Sequence, residues 1–452
     1  MQKGMFVAAT TLGCKVNQAE TDSMLDMLKA AGANIVEFDE KADIYIVNTC
    51  SVTNIADKKS RQMLHRARKM NPDGIVIAAG CYVQSAREIL EQDEAIDIVI
   101  SNNKKKSITE IVNDYINVRN NEKNAPGKDH EAMEYFVDIS RETEYEEMGG
   151  HVPVGHTRAY VKIQDGCNQF CSYCIIPYVR GRIRSRSQEA ILAEVSELAE
   201  AGIKEVVLTG IHISSYGKDK NNEGALIELI EAISKIKGIK RIRLGSLEPG
   251  IITEEFVERI SSNSKVCPHF HLSLQSGCDS VLKRMNRKYT CKQYFEKCDM
   301  LRKAYKSPAL TTDVIVGFPG ETEEEFAETV RYLTELNLYE MHIFKYSPRK
   351  GTVAAAMKEQ VAPEIKNERS DVLLKLAHDN KTAYEAQFEG CELEVLVEEV
   401  VKKDNKTYLR GHTERYMDIL IDVGDISMPE SFVNSFVYVT YTQNGGNLPL
   451  LL

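Results

Sequence analysis

The sequence predicts an α/β chain in three parts: an N-terminal doubly wound parallel sheet over residues 1–120, a central partial (βα)6 barrel over 153–382, and a small antiparallel β-barrel over 383–447. Residues 121–152 read as a linker. Three observations predict this. Short, fully apolar runs followed by amphipathic helical patterns recur through most of the chain, as expected of parallel strands buried on both faces. From about Tyr384 the pattern changes to segments that alternate apolar and polar residues, the period of strands with one wet face. Finally, 452 residues are too many for a single core.

In the first part, residues 5–11, 44–48 and 75–79 read as buried strands, with helices expected over 18–31, 56–70 and 84–92. Asn17 and Glu20 have the spacing of a helix cap and its partner three residues on. One cysteine sits just past each strand: Cys14, Cys50 and Cys81. In a doubly wound sheet the carboxyl ends of the strands share one edge, where ligands bind, so three thiols on three loops converge there. An isolated cysteine is more often a small buried hydrophobe; three in one topological position favour convergence. Three thiolates hold a 4Fe-4S cluster and leave one iron open. The second helix carries Lys58, Arg61, His65 and Arg68 at helical spacing, either a solvated face or a contact for a phosphate backbone.

Residues 117–151 turn polar, with Asn117, Asn120, Asn121 and Asn124, then Pro126 and Gly127, then Glu142, Glu144, Glu146 and Glu147. Such a stretch buries little apolar surface and reads as a linker or mobile edge.

The central part is expected to place strands at residues 159–164, 205–210, 241–245, 269–274, 311–317 and 341–346. Directly after the first comes Cys167-Asn-Gln-Phe-Cys171-Ser-Tyr-Cys174. Three thiolates at this spacing wrap three irons of a cubane from one loop; zinc instead wants four closed ligands and usually paired cysteines. At later strand ends stand Thr209-Gly210, Ser273 with Gln275, and Gly317, where glycine admits close backbone approach and Ser or Gln offers hydrogen bonds. Arg180, Arg182, Arg184 and Arg186 recur every second residue, which in an extended segment puts them on one face, for phosphate or cofactor contact or for pairing with carboxylates inside the barrel. Cys267, Cys278, Cys291, Cys298 and Cys391 share no placement and read as structural.

The terminal β-barrel is expected to use residues 393–397, 408–411, 417–421 and 436–441 as strands, an architecture common among oligonucleotide binders. Residues 384–452 hold twelve Asp or Glu against five Lys or Arg, so phosphate contact there must be local, through Lys402, Lys403, Lys406, Tyr408 and Arg410. The formal charge of -10 makes the same point for the whole chain and excludes binding of nucleic acid by bulk electrostatics. No run of about 18 apolar residues and no secretory signal is evident, so a soluble, cytoplasmic protein without membrane contact is expected, in which eleven cysteines stay reduced, favouring metal ligation or reactivity over disulfides.

The Cys167 loop resembles that of radical S-adenosylmethionine (SAM) enzymes, and the last barrel resembles a TRAM domain. Together with the three scattered cysteines these features resemble the methylthiotransferases over almost the whole chain. Within that family, Thr11-Leu-Gly-Cys-Lys-Val-Asn-Gln18, Cys174-Ile-Ile-Pro-Tyr178 and Leu208-Thr-Gly-Ile-His-Ile-Ser-Ser-Tyr-Gly217 are most similar to the branch acting on N6-threonylcarbamoyladenosine in tRNA. The isopentenyladenosine branch typically has Tyr-Gly-Cys-Gln-Met-Asn at the first of these, and the ribosomal-protein branch Gly-Cys-Pro-Lys-Asn. The resemblance implies two 4Fe-4S clusters, with SAM bound at the barrel cluster and Tyr173, Thr209, Gly210, Ser273, Gln275 and Gly317 lining its pocket. It implies cleavage of SAM to a 5′-deoxyadenosyl radical there, methylation of sulfur by a second SAM at the cluster of Cys14, Cys50 and Cys81, and addition of a methylthio group at adenine C2 beside the anticodon, position 37. Expected partners are tRNA and an electron donor such as flavodoxin or ferredoxin; the sulfur source is not specified by sequence. Other classes in view are methylthiolation of isopentenyladenosine or of a ribosomal-protein side chain, and an iron-sulfur electron carrier or sensor.

Overall fold

The computed structural model describes residues 4–122, 133–149, 157–404, 406–424, 428–442 and 446–447. Strands β1 (Phe6–Thr11), β2 (Asn34–Val36), β3 (Ile44–Thr49), β4 (Ile75–Gly80), β5 (Ile98–Ile100) and β6 (Met133–Tyr135) form one sheet in the order 2-1-3-4-5-6, with every pair parallel. Both β3 and β4 are buried at every position, which is why they read as unbroken apolar runs. The order reverses beside β1, so a ligand-binding crevice opens at the carboxyl ends of β1 and β3. Helices α1 (Lys15–Ala30), α2 (Asn54–Met70) and α3 (Cys81–Ser85) leave from that edge. The start of α2 is fixed by Thr53, whose side chain accepts from Ala56 N at 3.1 Å.

Three expectations need correcting here. The first helix starts at Lys15 with Cys14 at its N-cap, so Asn17 and Glu20 are not a capping pair. Both are buried inside the helix and serve tertiary contacts instead. The third helix breaks at Ala86 into two five-residue pieces, Cys81–Ser85 and Arg87–Glu91. The stretch read as a linker is in large part packed. Its beginning completes the helix Ile108–Glu122, and Met133–Tyr135 pairs with β5. Farther on, Tyr145 donates to Lys162 O at 3.1 Å, and buried Glu146 accepts from Lys106 N at 2.9 Å. Its carboxylates find specific partners rather than apolar contacts, which composition does not reveal. Residues 123–132 and 150–152 of that stretch lie outside the described residues.

The central barrel runs through β7 (Arg158–Asp165), β8 (Arg184–Ser185), β9 (Glu205–Gly210), β10 (Arg241–Leu244), β11 (His269–His271), β12 (Ala309–Val316) and β13 (Glu340–Lys345). Two sheets, β10-β9-β7-β8 and β11-β12-β13, meet through the parallel bridges Ile242 to Val266 and Leu247 to Leu272. Six of these strands are mutually parallel; β8 runs antiparallel to β7. Val161, Ile163, Val206, Leu208, Ile242, Phe270, Leu272, Val314 and Val316 join one core with the surrounding helices. Strand alternation therefore turns Tyr160, Lys162, Glu205, Arg243, His269, His271 and Asp313 toward the barrel lumen.

The C-terminal strands β14 (Glu392–Lys403), β15 (Lys406–Thr413), β16 (Asp418–Asp422), β17 (Phe436–Thr440) and β18 (Gly446–Asn447) close a barrel in the order 14-15-16-18-17. All pairs are antiparallel except β16 with β18. A bulge falls between Val397 and Glu399, opposite Gly411, where a Cβ would stand 2.1 Å from Leu396 O. This barrel docks on the central one through Arg241, which donates to His412 O and Glu394 O at 3.0 Å, and Arg243, which donates to Glu414 O at 2.9 Å. No helix among the described residues is long and apolar enough to cross a membrane.

Candidate two-cluster site

The first thiol trio is built by adjacent strands. Cys14 follows β1, Cys50 follows β3, and Cys81 opens α3 directly after β4. Gly13, at φ 101°, lets the first loop pass against the second: a Cβ there would lie 2.7 Å from Cys50 Sγ. Two donors point at Cys81 Sγ, Arg180 Nε at 3.3 Å and Asn102 Nδ2 at 3.7 Å. Burial raises the Cys14 thiol and pushes Cys50 up to about 11, and each of these sulfurs feels the charge of Cys81. Thiols held this way ionise when a metal supplies the compensating charge.

The second trio sits on one loop after β7. Gly166, at φ 70°, and Gly181, at φ 72°, bracket it, and a Cβ on Gly166 would fall 1.8 Å from Arg182 O. The loop is pinned from a distant segment: Ser172 N donates to Met285 O at 3.0 Å, Ser172 Oγ to Arg284 O at 2.8 Å, and Asn286 Nδ2 to Phe170 O at 2.9 Å. Next to that segment, Arg287 donates from Nη1 to Cys171 Sγ at 3.2 Å and pairs with Glu248 at 2.8 Å. Burial pushes Cys167 up to about 11 and Cys174 up to about 12. A guanidinium is aimed at each trio, and three thiols apiece leave unfilled the fourth ligand that a closed structural zinc site wants, so both trios fit 4Fe-4S clusters better.

Both loops border one cavity of about 250 Å³. Val52 and Thr53, just past Cys50, form one wall, and Tyr173, Cys174, Gln275, Asp313, Phe344 and Tyr346 form others. Gln275 adopts φ 76° and is locked to β12 by Gln275 N to Asp313 O and Ile315 N to Gln275 O, each 2.9 Å. Thr209 is buried at the end of β9, next to Gly210, where a Cβ would meet Gln164 O at 3.0 Å. Ser273 offers its carbonyl to Tyr289 Oη at 2.6 Å, and Gly317 donates to Glu321 at 2.7 Å beneath Lys366. Gln275 and Tyr173 are thus in the cavity wall, whereas Gly317 is covered. Opposite Tyr173, Arg349 docks the N-terminal domain through Asn54 at 2.7 Å, Ser51 at 2.9 Å and Asp57 at 2.7 Å.

Comparison with known proteins agrees with this architecture. Residues 161–333 match the Radical SAM superfamily, and residues 6–101 match the family described as Uncharacterized protein family UPF0004. A threonylcarbamoyladenosine tRNA methylthiotransferase MtaB from Bacillus subtilis (strain 168) is 40% identical over 415 residues, 92% of this chain and 90% of that protein. A tRNA-2-methylthio-N(6)-dimethylallyladenosine synthase from Thermoanaerobacter pseudethanolicus is 35% identical over 98% of this chain and 91% of that protein. The chain belongs to the radical SAM methylthiotransferases. Among solved structures, the radical S-adenosylmethionine methyltransferase TsrM from Kitasatospora setae shares the fold at TM-score 0.56 and 15% identity, covering 77% of each chain.

Within this methylthiotransferase the basic residues expected at a phosphate surface fare unequally. Lys58 is exposed on α2, while Arg61 caps the ring and hydroxyl of Tyr82, and Arg68 is held by Asp97 and the carbonyls of Pro72 and Gly74. The four arginines after Cys174 do not share a face. The helix Ile176–Arg180 and the turn at Gly181 break the extended spacing. Arg180 is fully buried against Glu20, Asn17 and Asp165, and Arg184 and Arg186 are also buried, so only Arg182 remains outside, stacked 4.5 Å over Phe170. Arg180 is thus a cluster-side and interdomain residue, not a phosphate ligand. On the C-terminal barrel Lys402 and Lys406 are exposed beside a hairpin tip, whereas Arg410 pairs with Asp418 at 2.9 Å and Glu399 at 3.3 Å.

Sequence reasoning missed Asn102, Arg287, Arg349 and Lys15. Asn102 lies two residues past β5, at the same sheet edge as the cysteines, and the edge argument extended by one strand finds it. Nothing in the sequence marks the other three. Lys15 is reachable by solvent, yet burial and the nearby Arg158 and Arg243 lower its ammonium to about 8.

Proposed function

We propose that this chain adds a methylthio group to C2 of N6-threonylcarbamoyladenosine at position 37 of tRNA, using two 4Fe-4S clusters and SAM. The observation that carries this reading is one cavity walled both by Val52 and Thr53 of the Cys50 loop and by Tyr173 and Cys174 of the Cys167 loop, which lets one base meet both. An aromatic C2–H does not yield to polar substitution, because hydride is a poor leaving group. When bound, the clusters and SAM supply the electron, the radical and the methylated sulfur.

The chain's own residues supply position and exclusion. Cys167, Cys171 and Cys174 hold the barrel cluster, and Arg287 sets charge beside it. Cys14, Cys50 and Cys81 hold the auxiliary cluster, with Arg180 and Asn102 donating to its sulfur ligand. Tyr173 and Gln275 face SAM from the cavity wall; Thr209, Gly210, Ser273 and Gly317 support it from the strand ends. Lys58 and Lys402 are exposed cations that meet RNA phosphates, as does Lys406 despite its wide pair with Asp422 at 3.8 Å, with Arg61, Arg68 and Arg410 engaged within the protein. A flavodoxin or ferredoxin serves as electron donor, in the cytoplasm. The relatives' printed names divide between threonylcarbamoyl and dimethylallyl substrates, and the motif around Cys14 favours the first.

The test is in vitro. Anaerobically reconstituted protein, SAM, a reductant and a sulfur source are given an anticodon stem-loop RNA carrying either modification. Methylthiolation of the threonylcarbamoyl RNA with little on the isopentenyl RNA supports the reading, and the reverse preference overturns it.

A further inference from the structure

The lumen below the cavity holds an ammonium that no described carboxylate pairs. Lys15 follows Cys14 and points its Nζ between two rings, 5.7 Å from the centre of Tyr160 and 5.8 Å from that of Tyr416. Its cationic neighbours are already served: Arg243 by Glu205 at 2.8 Å, Arg158 by Glu398 at 3.3 Å, and Lys162 by Glu20 at 2.7 Å. Lys15 stands alone among them, in a polar space with excess positive charge. It also opens α1, whose first turn contains no acidic residue, so the positive end of the helix dipole adds to the field.

Asp313, which lines the reaction cavity, turns by strand alternation into the same lumen as Tyr160, His269 and His271. Buried His269 feels the charge of Arg243 and, after it, of His271, Lys15 and His342. The ligand atoms of His271, Asp313 and His342 lie within 4.8 Å of one another, and Asp313 lines the cavity beside Cys174. Tyr416, delivered by the C-terminal barrel, forms the floor; its ring stacks on His412 at 4.5 Å and lies 5.3 Å from His269.

We propose that Lys15, framed by Tyr160 and Tyr416, is the specificity-determining cation that takes the free carboxylate of the substituent on N6 of the target adenine. The inference rests on the function proposed above. A threonylcarbamoyl group carries a carboxylate and an isopentenyl group carries none, so one cation without a carboxylate partner separates the two substrates: it forms a charge-assisted hydrogen bond with the first and none with the second.

The experiment compares two stem-loop RNAs on each holoenzyme preparation, one with threonylcarbamoyladenosine and one with its carboxyl converted to the neutral carboxamide. Wild type is expected to favour the acid in kcat/KM by about tenfold to a hundredfold. Lys15→Gln is expected to bring that ratio close to one by losing activity on the acid alone, and Lys15→Arg to restore much of it. Because the ratio is taken within one preparation, any loss of cluster cancels. The weaker binding of the acid RNA to Lys15→Gln is read independently by filter retention without SAM. A wild-type ratio near one, or a ratio unchanged in Lys15→Gln, overturns the subsite while leaving the proposed function standing. Failure of wild type on both RNAs removes the function and the subsite together.

Discussion

Arg180 and Arg287 play matching parts on the two loops, each aiming a guanidinium nitrogen at a ligand sulfur, at 3.3 and 3.2 Å. A charge-assisted donor to sulfur favours the thiolate and tunes the cluster it would hold. Neither was legible as such. Arg180 reads as one of a run of basic residues, and nothing in the sequence marks Arg287, because charge in sequence does not tell which cation is buried. The cysteines' placement just past their strands was legible, since spacing and strand-end position are sequence properties. Around them, glycine geometry is the least forgiving feature. Gly166→Ala places a methyl on Arg182 O at a φ that side chains avoid, so the Cys167 loop cannot close. Iron analysis after reconstitution should fall from about eight to about four per chain, with SAM cleavage lost, the result also expected for Cys167→Ala with Cys171→Ala and Cys174→Ala. Retention of about eight irons by Gly166→Ala would mean the loop tolerates another path.

Helix α1 belongs to two domains at once. It carries Cys14 at its N-cap, and nearly two turns later Glu20 meets Lys105 of its own domain and, across the domain boundary, Arg180 and Lys162, with Asp165 completing the buried network. Burial alone would raise the Glu20 carboxyl; Arg180, Lys105 and Lys162 outweigh it and hold it well below the usual carboxylate range. Removing one member of a buried charge network leaves the others uncompensated, at a cost of about 3–5 kcal/mol. Glu20→Gln should therefore lower the first transition in chemical denaturation by about that amount at neutral pH, and expose the boundary to protease. The pH dependence has a definite sign. A carboxyl depressed in the folded state contributes stability above its unfolded value and loses it as pH falls through the folded one, so wild type should weaken on acidification more than Glu20→Gln does. Equal acid sensitivity of the two would contradict the network. The element itself was legible as a helix by its apolar period, and its place in the domain boundary was not, because Glu20 pairs with residues more than 80 positions away.

At the scale of the molecule, the three-part α/β plan was readable because parallel strands buried on both faces leave contiguous apolar runs and the last barrel leaves a period of two. The packing of residues 133–149 was not readable, since specific hydrogen bonds rather than apolar burial hold it. The RNA path follows from which cations remain free. Lys58→Ala and Lys402→Ala should each weaken tRNA binding and flatten its salt dependence by about one unit of slope, and Arg410→Ala should do less because Asp418 and Glu399 already neutralise it. An unchanged slope in both lysine variants would move the RNA elsewhere on the surface. The central claim is that two cysteine trios serve one adenine. It is tested most directly by mass spectrometry of tRNA nucleosides from a strain lacking this protein, complemented with wild type or with Cys14→Ala, Cys50→Ala and Cys81→Ala combined. The account predicts that wild type alone restores the 2-methylthio form of threonylcarbamoyladenosine, with the unthiolated nucleoside accumulating otherwise. Restoration by the triple variant, or no change in that nucleoside on loss of the protein, would contradict it.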